Sequence, residues 1–321
     1  MKVLITGASG LLATNVIIQL LENGHSVKAL IRDKSKSILQ ESDKLNLVEG
    51  DITNLQLLEA AGIGCDYIIH AAAETRQGLI DWNEYAKINI EGTRNVFDAA
   101  IKNGVKRIIY VGTANVFGFG SLTDPGNENT RIKKPFSNSL YVKSKLEAQE
   151  IALSFANKTE VIIVNPTFLI GPYNLNSGSG RIILHGYNKK LIFYPPGGKN
   201  FIHVADAATG IINALTKGVN GEKYILANEN LSYKDFYKKM AKFSQTTPVL
   251  IKIPKPVWLF LGTIGNLLKY AGIKNEFTMV NMQILCEKNF YLGKKAEIEL
   301  GIKIKSIDKA LDDFFAWYHK H

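Results

Sequence analysis

A tyrosine and a lysine four positions apart are the first residues whose types and spacing could support catalysis. Tyr141 and Lys145 lie in the segment Tyr-Val-Lys-Ser-Lys, and on a helix the side chains at i and i+4 share one face. A phenol has a reference pKa near ~10, and a neighbouring ammonium lowers that pKa because it favours the phenolate. Tyr141 could then act as a general acid/base. The alternative is a surface pair without chemistry, since this spacing is frequent in helices.

A glycine-rich turn near the start of the chain is the second such feature. Gly7, Gly10 and Ala13 form G-x-x-G-x-x-A between an apolar run and a helical pattern. A Cβ at either glycine would obstruct the tight turn or the approach of backbone to a pyrophosphate, and the helix N-terminus offers N–H groups to an anion. The strand-turn-helix context favours a dinucleotide site over an incidental turn. The residues expected to contact the cofactor here are Gly7, Ser9, Gly10, Leu11 and Leu12.

The end of the second predicted strand should decide which nicotinamide cofactor fits. A carboxylate there binds the ribose 2′-hydroxyl of NAD, whereas a cation favours the 2′-phosphate of NADP. The sequence reads Ile31-Arg32-Asp33, so Arg32 favours NADP. Two alternatives stay open, because Asp33 could serve a ribose and Arg32 could be a solvated loop charge. The expected cofactor is therefore NADP, with NAD possible.

Residues after the third and fourth predicted strands extend the expected cofactor site. Asp51 and Ile52 follow the third strand, where Asp51 could accept a hydrogen bond from the adenine amino group. Alternatively, Asp51 caps the helix that begins after Thr53. His70 ends the fourth strand and is interpreted as a buried, hydrogen-bonded histidine. The small residues after it, which would let the backbone lie along the cofactor, are Ala71, Ala72 and Ala73.

Alternating strands and helices must position these residues. The predicted strands are 2–6, 27–31, 46–49, 67–70, 107–111 and 160–165, and the first helix is predicted at 11–22. Near-continuous apolar strands separated by helical patterns are typical of a parallel sheet covered on both faces. The predicted fold class is α/β, a Rossmann-type doubly wound parallel sheet with a smaller, mostly helical C-terminal substrate domain.

The alternation fades after residue 172, which suggests a second unit. Residues 1–172 are predicted to form the dinucleotide-binding domain, and 203–216 to return to it. Residues 173–202 and 217–321 are assigned to the substrate-binding domain. Substrate is then expected in the cleft between the two units.

Composition restricts the class of protein. The 321 residues are 46% hydrophobic and 21% charged, which is typical of a globular protein rather than a membrane bundle. The net charge of +10 lies in residues 161–321, but only six of the 39 basic residues are arginines and no basic helix has interleaved aromatics, so nucleic-acid binding is not expected. Cys65 and Cys286 have no partnering spacing, so neither a metal site nor a disulfide is expected. The N-terminus lacks signal-peptide features, and a cytoplasmic location is expected.

The most apolar stretch, 257–268, is flanked by lysines. It is too short, and too interrupted by glycine and asparagine, for a span of ~20 apolar residues. The favoured interpretation is a helix that caps an apolar substrate pocket or packs on the main domain. An interfacial membrane helix is the alternative. Because the packed helix is favoured, a membrane surface is not the expected partner.

Taken together, these motifs resemble the extended short-chain dehydrogenase/reductase family over almost the whole chain. The glycine-rich signature matches residues 6–13, and the catalytic pair matches Tyr141 and Lys145. The resemblance assigns the third catalytic position to Thr113, 28 residues before the tyrosine. Within the family, the dihydroflavonol 4-reductase-like branch is the most similar. The further positions that the family implies next to the cofactor are Asn89, Pro166 and Thr167, although Asn89 could instead order the helix and water.

The resemblance implies a mechanism. Thr113 would donate a hydrogen bond to the substrate carbonyl, Tyr141 would exchange the proton, and Lys145 would hold the nicotinamide ribose and lower the pKa of Tyr141. Three function classes remain: a reductase or dehydrogenase that acts on a carbonyl or secondary alcohol of a mid-sized substrate, polar or apolar, a nucleotide-sugar epimerase or dehydratase with retained NAD, and a non-catalytic NAD(P)-binding regulator. Relatives commonly pair through the helices that contain Asn89 and Tyr141, so a homodimer is possible.

Overall fold

The computed structural model describes residues 1–173, 178–273 and 275–320. Its strands are β1 Lys2–Thr6, β2 Ser26–Ile31, β3 Leu45–Glu49, β4 Tyr67–His70, β5 Arg107–Val111, β6 Glu160–Pro166, β7 Phe168–Ile170, β8 Leu191–Tyr194, β9 Gly198–His203, β10 Lys223–Leu226, β11 Glu229–Ser232, β12 Val249–Lys252 and β13 Lys288–Asn289. Its α-helices are α1 Leu11–Glu22, α2 Leu55–Gly62, α3 Trp82–Tyr85, α4 Gly92–Lys102, α5 Leu140–Ser154, α6 Gly178–Gly186, α7 Val204–Lys217, α8 Tyr233–Ala241, α9 Lys255–Tyr270, α10 Met279–Cys286, α11 Lys294–Glu299 and α12 Ile307–Tyr318. A π-helical segment, Ala86–Glu91, joins α3 to α4.

The main sheet is parallel throughout. Within the described residues it has seven strands in the order β10-β6-β5-β4-β1-β2-β3. The order reverses between β1 and β4, where Thr6 is paired with His70. Ligands of such sheets bind outside the carboxyl ends of the strands at this reversal. The glycine-rich turn and Ala71 follow the two strands that flank it.

Alternate residues of each strand face opposite layers of helices, as a period of two requires. Ile5 belongs to the core formed with α1 and α7, which includes Ile17 and Ile211. Leu4 belongs to the core formed with α2, α4 and α5, which includes Phe97. Helices therefore cover both faces of the sheet, and the predicted doubly wound fold class is confirmed.

The predicted elements of this part agree closely with the structure. Helix α1 has the predicted bounds, because the backbone N–H of Asn23 bonds back to the last turn and Gly24 takes a φ of +79°. Strands β2 and β3 each begin one residue earlier than predicted, and β6 extends to Pro166. Such shifts at element ends do not move any of the candidate residues.

A smaller unit packs beside the main sheet. Strand β9 pairs with β7, β11 and β13, and a mixed core of aromatic and aliphatic side chains joins this sheet to α6, α8 and α12. Helix α7 packs on α1. One segment departs from the predicted division: residues beyond 217 were assigned to the second unit, whereas β10 pairs with β6 as an edge strand of the main sheet. The reason is its apolar side chains, since Tyr224 and Leu226 are buried in the main core.

The apolar stretch 257–268 lies within α9, but most of its large side chains are exposed. The helix contacts α10 through Gly262 and Gly265, its buried residues. The expectation that this stretch would bury its apolar side chains over a pocket or the main domain is therefore wrong. Across the described ranges, no helix is long and apolar enough to cross a membrane. Cys65 and Cys286 are buried free thiols.

Candidate active site

Three side chains predicted to act together meet at the carboxyl end of β5. The Thr113 side chain lies within hydrogen-bonding reach of the Tyr141 phenol and favours its ionised form. Asn165, at the end of β6, positions Thr113 by accepting a hydrogen bond of 3.0 Å from its backbone N–H. Tyr141 and Lys145 are both buried on α5, with 8% and 3% of their surfaces exposed. The alternative of a surface pair is therefore excluded by burial.

The pKa of Tyr141 differs in direction from the prediction. Burial raises it to about 12, and the hydrogen bond from Thr113 opposes this only in part. The predicted lowering by Lys145 is not seen, because desolvation disfavours the phenolate more than the neighbouring groups favour it. The phenol consequently holds its proton at neutral pH and is a proton donor in this state.

The side-chain nitrogen of Lys145 is buried and has few partners that would stabilise its charge. Its Nζ donates a hydrogen bond of 2.9 Å to the Val111 carbonyl and lies 4.4 Å from the centre of the Tyr110 ring. Among the described residues, no carboxylate pairs with it. Burial therefore lowers the pKa of Lys145 to about 7. An ammonium has three donors, so this group retains hydrogen-bonding capacity for a ligand at the site.

His70 is structural. Its Nδ1 lies 2.8 Å from the Thr6 hydroxyl and its Nε2 lies 3.0 Å from the Thr93 hydroxyl. Burial and the charge of Lys145 lower the pKa of His70 to about 3, so the ring is neutral at physiological pH. The Thr6 hydroxyl also accepts a hydrogen bond from the Ala72 N–H at 3.2 Å. The network thus joins the ends of β1 and β4, and the predicted interpretation of His70 as a buried, hydrogen-bonded histidine is confirmed.

Asn89 uses its side chain within the protein. Its Oδ1 accepts a hydrogen bond from the Glu74 N–H at 2.7 Å, and its Nδ2 donates to the Glu74 carbonyl at 3.1 Å and to the Ser144 hydroxyl at 2.9 Å. Ser144 in turn donates to the Tyr141 carbonyl. The amide therefore holds the loop after β4 against α5, which matches the alternative of an ordering role. Ser144 was missed in the sequence, although it lies one turn from Tyr141.

The glycine-rich turn fits a dinucleotide. Gly7 has a φ of +77°, and a Cβ there would lie 2.7 Å from Ala72 backbone atoms; one at Gly10 would lie 3.2 Å from the Gly7 carbonyl. No side chain in the described part of the chain caps the first turn of α1, which leaves its N–H groups for an anion. Ser9 is exposed at the turn, whereas Leu11 and Leu12 are buried behind it, so these two can offer only backbone N–H groups.

Arg32 is exposed at the end of β2 and lies close to the loop that follows β4. Burial of Glu74 is outweighed by hydrogen bonds from Arg76 and by the charges of Arg76 and Arg32, which together lower the pKa of Glu74. Asp33 accepts a hydrogen bond from the Ser35 N–H and caps the short helix that follows. Arg32 and Asp33, the two alternatives from the sequence, therefore differ in their contacts. Arg32 lies near Glu74, whereas Asp33 forms hydrogen bonds within its own loop.

Other predicted cofactor positions lie at neighbouring strand ends. Asp51 accepts a hydrogen bond from the Thr53 N–H, but the cap of α2 is Asn54, so the predicted capping role of Asp51 is wrong. Ile52 is buried against Gly92. Pro166 ends β6, and the Thr167 hydroxyl donates to Asn200 Oδ1 at 2.7 Å, which connects this strand end to β9.

Apolar side chains surround the ring of Tyr141. Its ring lies 6.4 Å from that of Tyr85, and both belong to a buried cluster that also contains Phe117 and Ile284. Leu79 and Val280 pack against this cluster. The contribution of α10 was not predicted, because residues distant in sequence meet there only through the fold.

Two exposed arginines are held in ion pairs. Arg181 of α6 forms an ion pair of 2.9 Å with Glu276 at the surface. Arg76 is paired with Glu74 and Glu84. Residues 174–177, which precede α6, lie outside the described residues. No group of three or more metal-ligating side chains occurs in the described ranges.

Comparison with known proteins identifies relatives along the whole chain. The model of the NAD dependent epimerase/dehydratase family matches residues 3–227. A Synechocystis protein named as a candidate dihydroflavonol 4-reductase is 30% identical, over 99% of this chain and 94% of its own. Sterol demethylase protein B of Methylococcus capsulatus is 24% identical, over 100% and 99% of the two chains. The crystal structure of gox2253 superposes with a TM-score of 0.85 at 29% identity, over 100% and 98% of the chains.

Proposed function

Since the chain belongs to the NAD dependent epimerase/dehydratase family, we propose that this enzyme is a reductase of carbonyl groups in apolar substrates. The observation that carries the proposal is the burial of Tyr141 and Lys145 one helical turn apart on α5, beside Thr113 at the end of β5. The reverse reaction, oxidation of a secondary alcohol, uses the same groups. A regulator that only bound the cofactor would have no need of this arrangement.

The proton chemistry follows from the state of Tyr141. With a pKa of about 12 the phenol is protonated at neutral pH, so it is prepared to give a proton to a carbonyl oxygen. Thr113 donates a hydrogen bond to the same oxygen and stabilises the charge that develops on it. When bound, the dinucleotide supplies the hydride that the carbonyl carbon receives.

The cofactor that we propose is NADP. The backbone of Gly7, Gly10 and the first turn of α1 would hold the pyrophosphate, and the exposed guanidinium of Arg32 would bind the 2′-phosphate. Asp33 supports NADP over NAD because its carboxylate caps the following helix and so is already used, whereas NAD would need it for the ribose 2′-hydroxyl. Tyr141 and Lys145 would hold the nicotinamide ribose.

The proposed substrate class rests on the wall of the site. Tyr85, Phe117 and Ile284 pack with Tyr141 in a buried apolar cluster that Val280 adjoins, and Arg76 and Arg181 are paired with carboxylates. A nucleotide sugar would need cations for its diphosphate. An apolar ketone requires none, which supports the reductase over the sugar epimerase or dehydratase.

The test has two parts. The purified protein is denatured and the released nucleotide is identified by mass spectrometry, and the native protein is assayed with NADPH against a panel of apolar ketones. We expect an empty site or NADP, together with turnover of NADPH. Near-stoichiometric NAD that survives purification, with no ketone reduction, would instead favour epimerase or dehydratase chemistry and contradict the proposal.

A further inference from the structure

Helix α9 presents apolar side chains to solvent along one stripe. Six large residues are exposed by between 36% and 65%: Val257, Phe260, Leu261, Ile264, Leu267 and Leu268. Their spacing of three and four residues places them within an arc of about 120° on the helix surface. A helix of a globular protein usually turns such a stripe toward the core, so the orientation of α9 is inverted.

The inversion is a consequence of how α9 packs. Gly262 and Gly265 lie on the opposite side of the helix and approach the segment that begins α10. A Cβ at Gly262 would lie 2.9 Å from the Met279 Cα, and one at Gly265 would overlap the Phe277 carbonyl. The close contact is therefore made by the two glycines, and rotation of the helix to bury its leucines would break it.

A two-stranded ribbon, whose second strand precedes α9 in the chain, also exposes apolar side chains. Strand β12 pairs in parallel with β8, and the register places Val249 beside Leu191 and Ile251 beside Phe193. All four side chains are exposed, by 39% to 62%, and the period of two puts them on one face of the ribbon. Two residues separate the ribbon from α9, so successive elements of the chain expose apolar surface.

Lysines flank this surface along the chain. Residues 236–275 contain no aspartate or glutamate and seven lysines, of which Lys239 and Lys242 form ion pairs with Asp308. Lys190 and Lys252 adjoin the ribbon at Leu191 and Ile251, and both are exposed. Lys255 begins α9, and its ion pair with Glu287 leaves it half exposed. A symmetric pairing of two copies would bring these lysines near one another, which is unfavourable.

We propose that the exposed stripe of α9 and the β8–β12 ribbon form a docking surface for anionic lipid membranes. Apolar side chains flanked by lysines suit the boundary between acyl chains and negatively charged headgroups. The helix has 16 residues, which is too short to span the hydrocarbon core of about 30 Å, so it lies in the plane of the surface. The exposed stripe therefore favours the interfacial helix, which the sequence alone left as the alternative.

The docking surface is connected to the proposed active site through one loop. Lys269 of α9 donates a hydrogen bond to the Gly78 carbonyl, and Asn281 of α10 donates to the Gln77 carbonyl at 3.1 Å. Leu79, in the same loop, packs on the cluster around Tyr141. Binding at the membrane would place this rim of the site near the lipid, where apolar molecules partition.

Sedimentation with lipid vesicles tests the proposal. The full chain is mixed with vesicles of phosphatidylcholine alone or with roughly one third phosphatidylglycerol, at about 0.05 M and about 0.5 M salt. We expect binding to the anionic vesicles at low salt, and at least about tenfold weaker binding to the neutral ones or at high salt. Protein that stays in the supernatant with every composition would overturn the proposal.

Matched variants locate the surface. Phe260→Ser with Leu267→Ser removes the two most exposed residues of the stripe, and Leu122→Ser with Ile298→Ser removes two equally exposed residues elsewhere. The first pair should weaken vesicle binding by about tenfold or more and leave the unfolding temperature unchanged, whereas the control pair should bind like the wild type. Lys190→Glu with Lys252→Glu should weaken it similarly, in contrast to Lys158→Glu with Lys294→Glu.

Light scattering after size-exclusion chromatography tests whether the surface instead binds a second copy of this chain. If the wild type is a dimer that Phe260→Ser with Leu267→Ser converts to a monomer, and neither binds vesicles, the face belongs to a second copy and the proposal is wrong. Vesicle binding that neither variant pair changes would also overturn it, because another part of the chain would then contact the lipid.

Discussion

The side-chain nitrogen of Asn89 lies 2.9 Å from the Ser144 hydroxyl oxygen, and this contact ties the loop after β4 to the helix that carries Tyr141. The same nitrogen donates to the Glu74 carbonyl, and the side-chain oxygen of Asn89 accepts from the Glu74 N–H. A single buried amide therefore fixes the loop after β4 relative to Tyr141, the residue that we propose as proton donor. Its effect on chemistry is one of position.

Asn89→Ala should destabilise the protein and lower turnover together. Three hydrogen bonds are lost in a buried region, each contributing about 1 kcal/mol, so the free energy of unfolding should fall by about 2–4 kcal/mol. Denaturant titration measures this, with Ser144→Ala as a comparison expected to lose about 1–2 kcal/mol, because two hydrogen bonds are removed. A variant of normal stability that loses only cofactor affinity would restore the direct cofactor contact predicted from the sequence.

Tyr141→Phe should lower kcat by ~100-fold or more and change cofactor affinity by less than about threefold. The ring and its packing remain, and only the transferable proton is lost. The matched control is Tyr233→Phe, since Tyr233 is also buried and its hydroxyl has no hydrogen-bond partner in the described part of the chain. Steady-state rates with NADPH and fluorescence titration of the cofactor distinguish the two effects. Retained turnover would remove Tyr141 from the mechanism.

The buried amine of Lys145 should make stability depend on pH. Its pKa is about 7 in the folded protein and ~10.4 in an unfolded chain, so the unfolded chain binds more protons between these values. The free energy of unfolding should therefore rise with pH across this window, by up to about 1.4 kcal/mol per pH unit, and this contribution should be constant below pH 7. Denaturant titrations from pH 6 to about pH 9, without cofactor, measure the slope.

Lys145→Met removes this titration while keeping an unbranched side chain of similar length. Its stability should rise less steeply above pH 7 than that of the wild type, because every other titratable group is shared. Parallel curves for the two proteins would show that the amine is not desolvated as its burial implies.

Arg32→Ala should raise the Kd for NADPH by about 10- to 100-fold and leave the Kd for NADH nearly unchanged, because only NADPH carries the 2′-phosphate. Lys34→Ala is the control, since Lys34 is exposed nearby and pairs with Glu41. Isothermal titration with both cofactors measures the two ratios. A wild type that already binds NADH more tightly would refute the proposed role of Arg32.

Gly7→Ala should cost stability and cofactor binding beyond the effect of backbone conformation. Gly104 has a similar φ of +64° but nothing within 4 Å of a built Cβ, so Gly104→Ala should cost only about 1 kcal/mol. At Gly7 the contact with Ala72 adds about 1–3 kcal/mol, and the displaced backbone should weaken dinucleotide binding at least about tenfold. Equal losses in both variants would show that the turn can widen without cost.

Local sequence determined the main sheet and the identities of the chemical groups. Apolar runs such as β4 and the ends of α1 are encoded by residues adjacent in the chain, so their bounds could be predicted closely. The spacing of Tyr141 and Lys145, and the order Gly7, Gly10, Ala13, likewise belong to single elements. The family and enzyme class inferred from them are confirmed by the matches along the chain.

Tertiary structure alone decided the properties that depend on neighbours distant in sequence. The pKa of Tyr141 is raised rather than lowered because other elements exclude water from it, and Asn89 is occupied because Glu74 and Ser144 meet it from two directions. The exposed stripe of α9 follows from glycines that dock against α10, a choice that hydrophobicity by itself would have reversed. Burial and long-range contacts depend on residues that are distant in sequence, so no local sequence pattern can predict them.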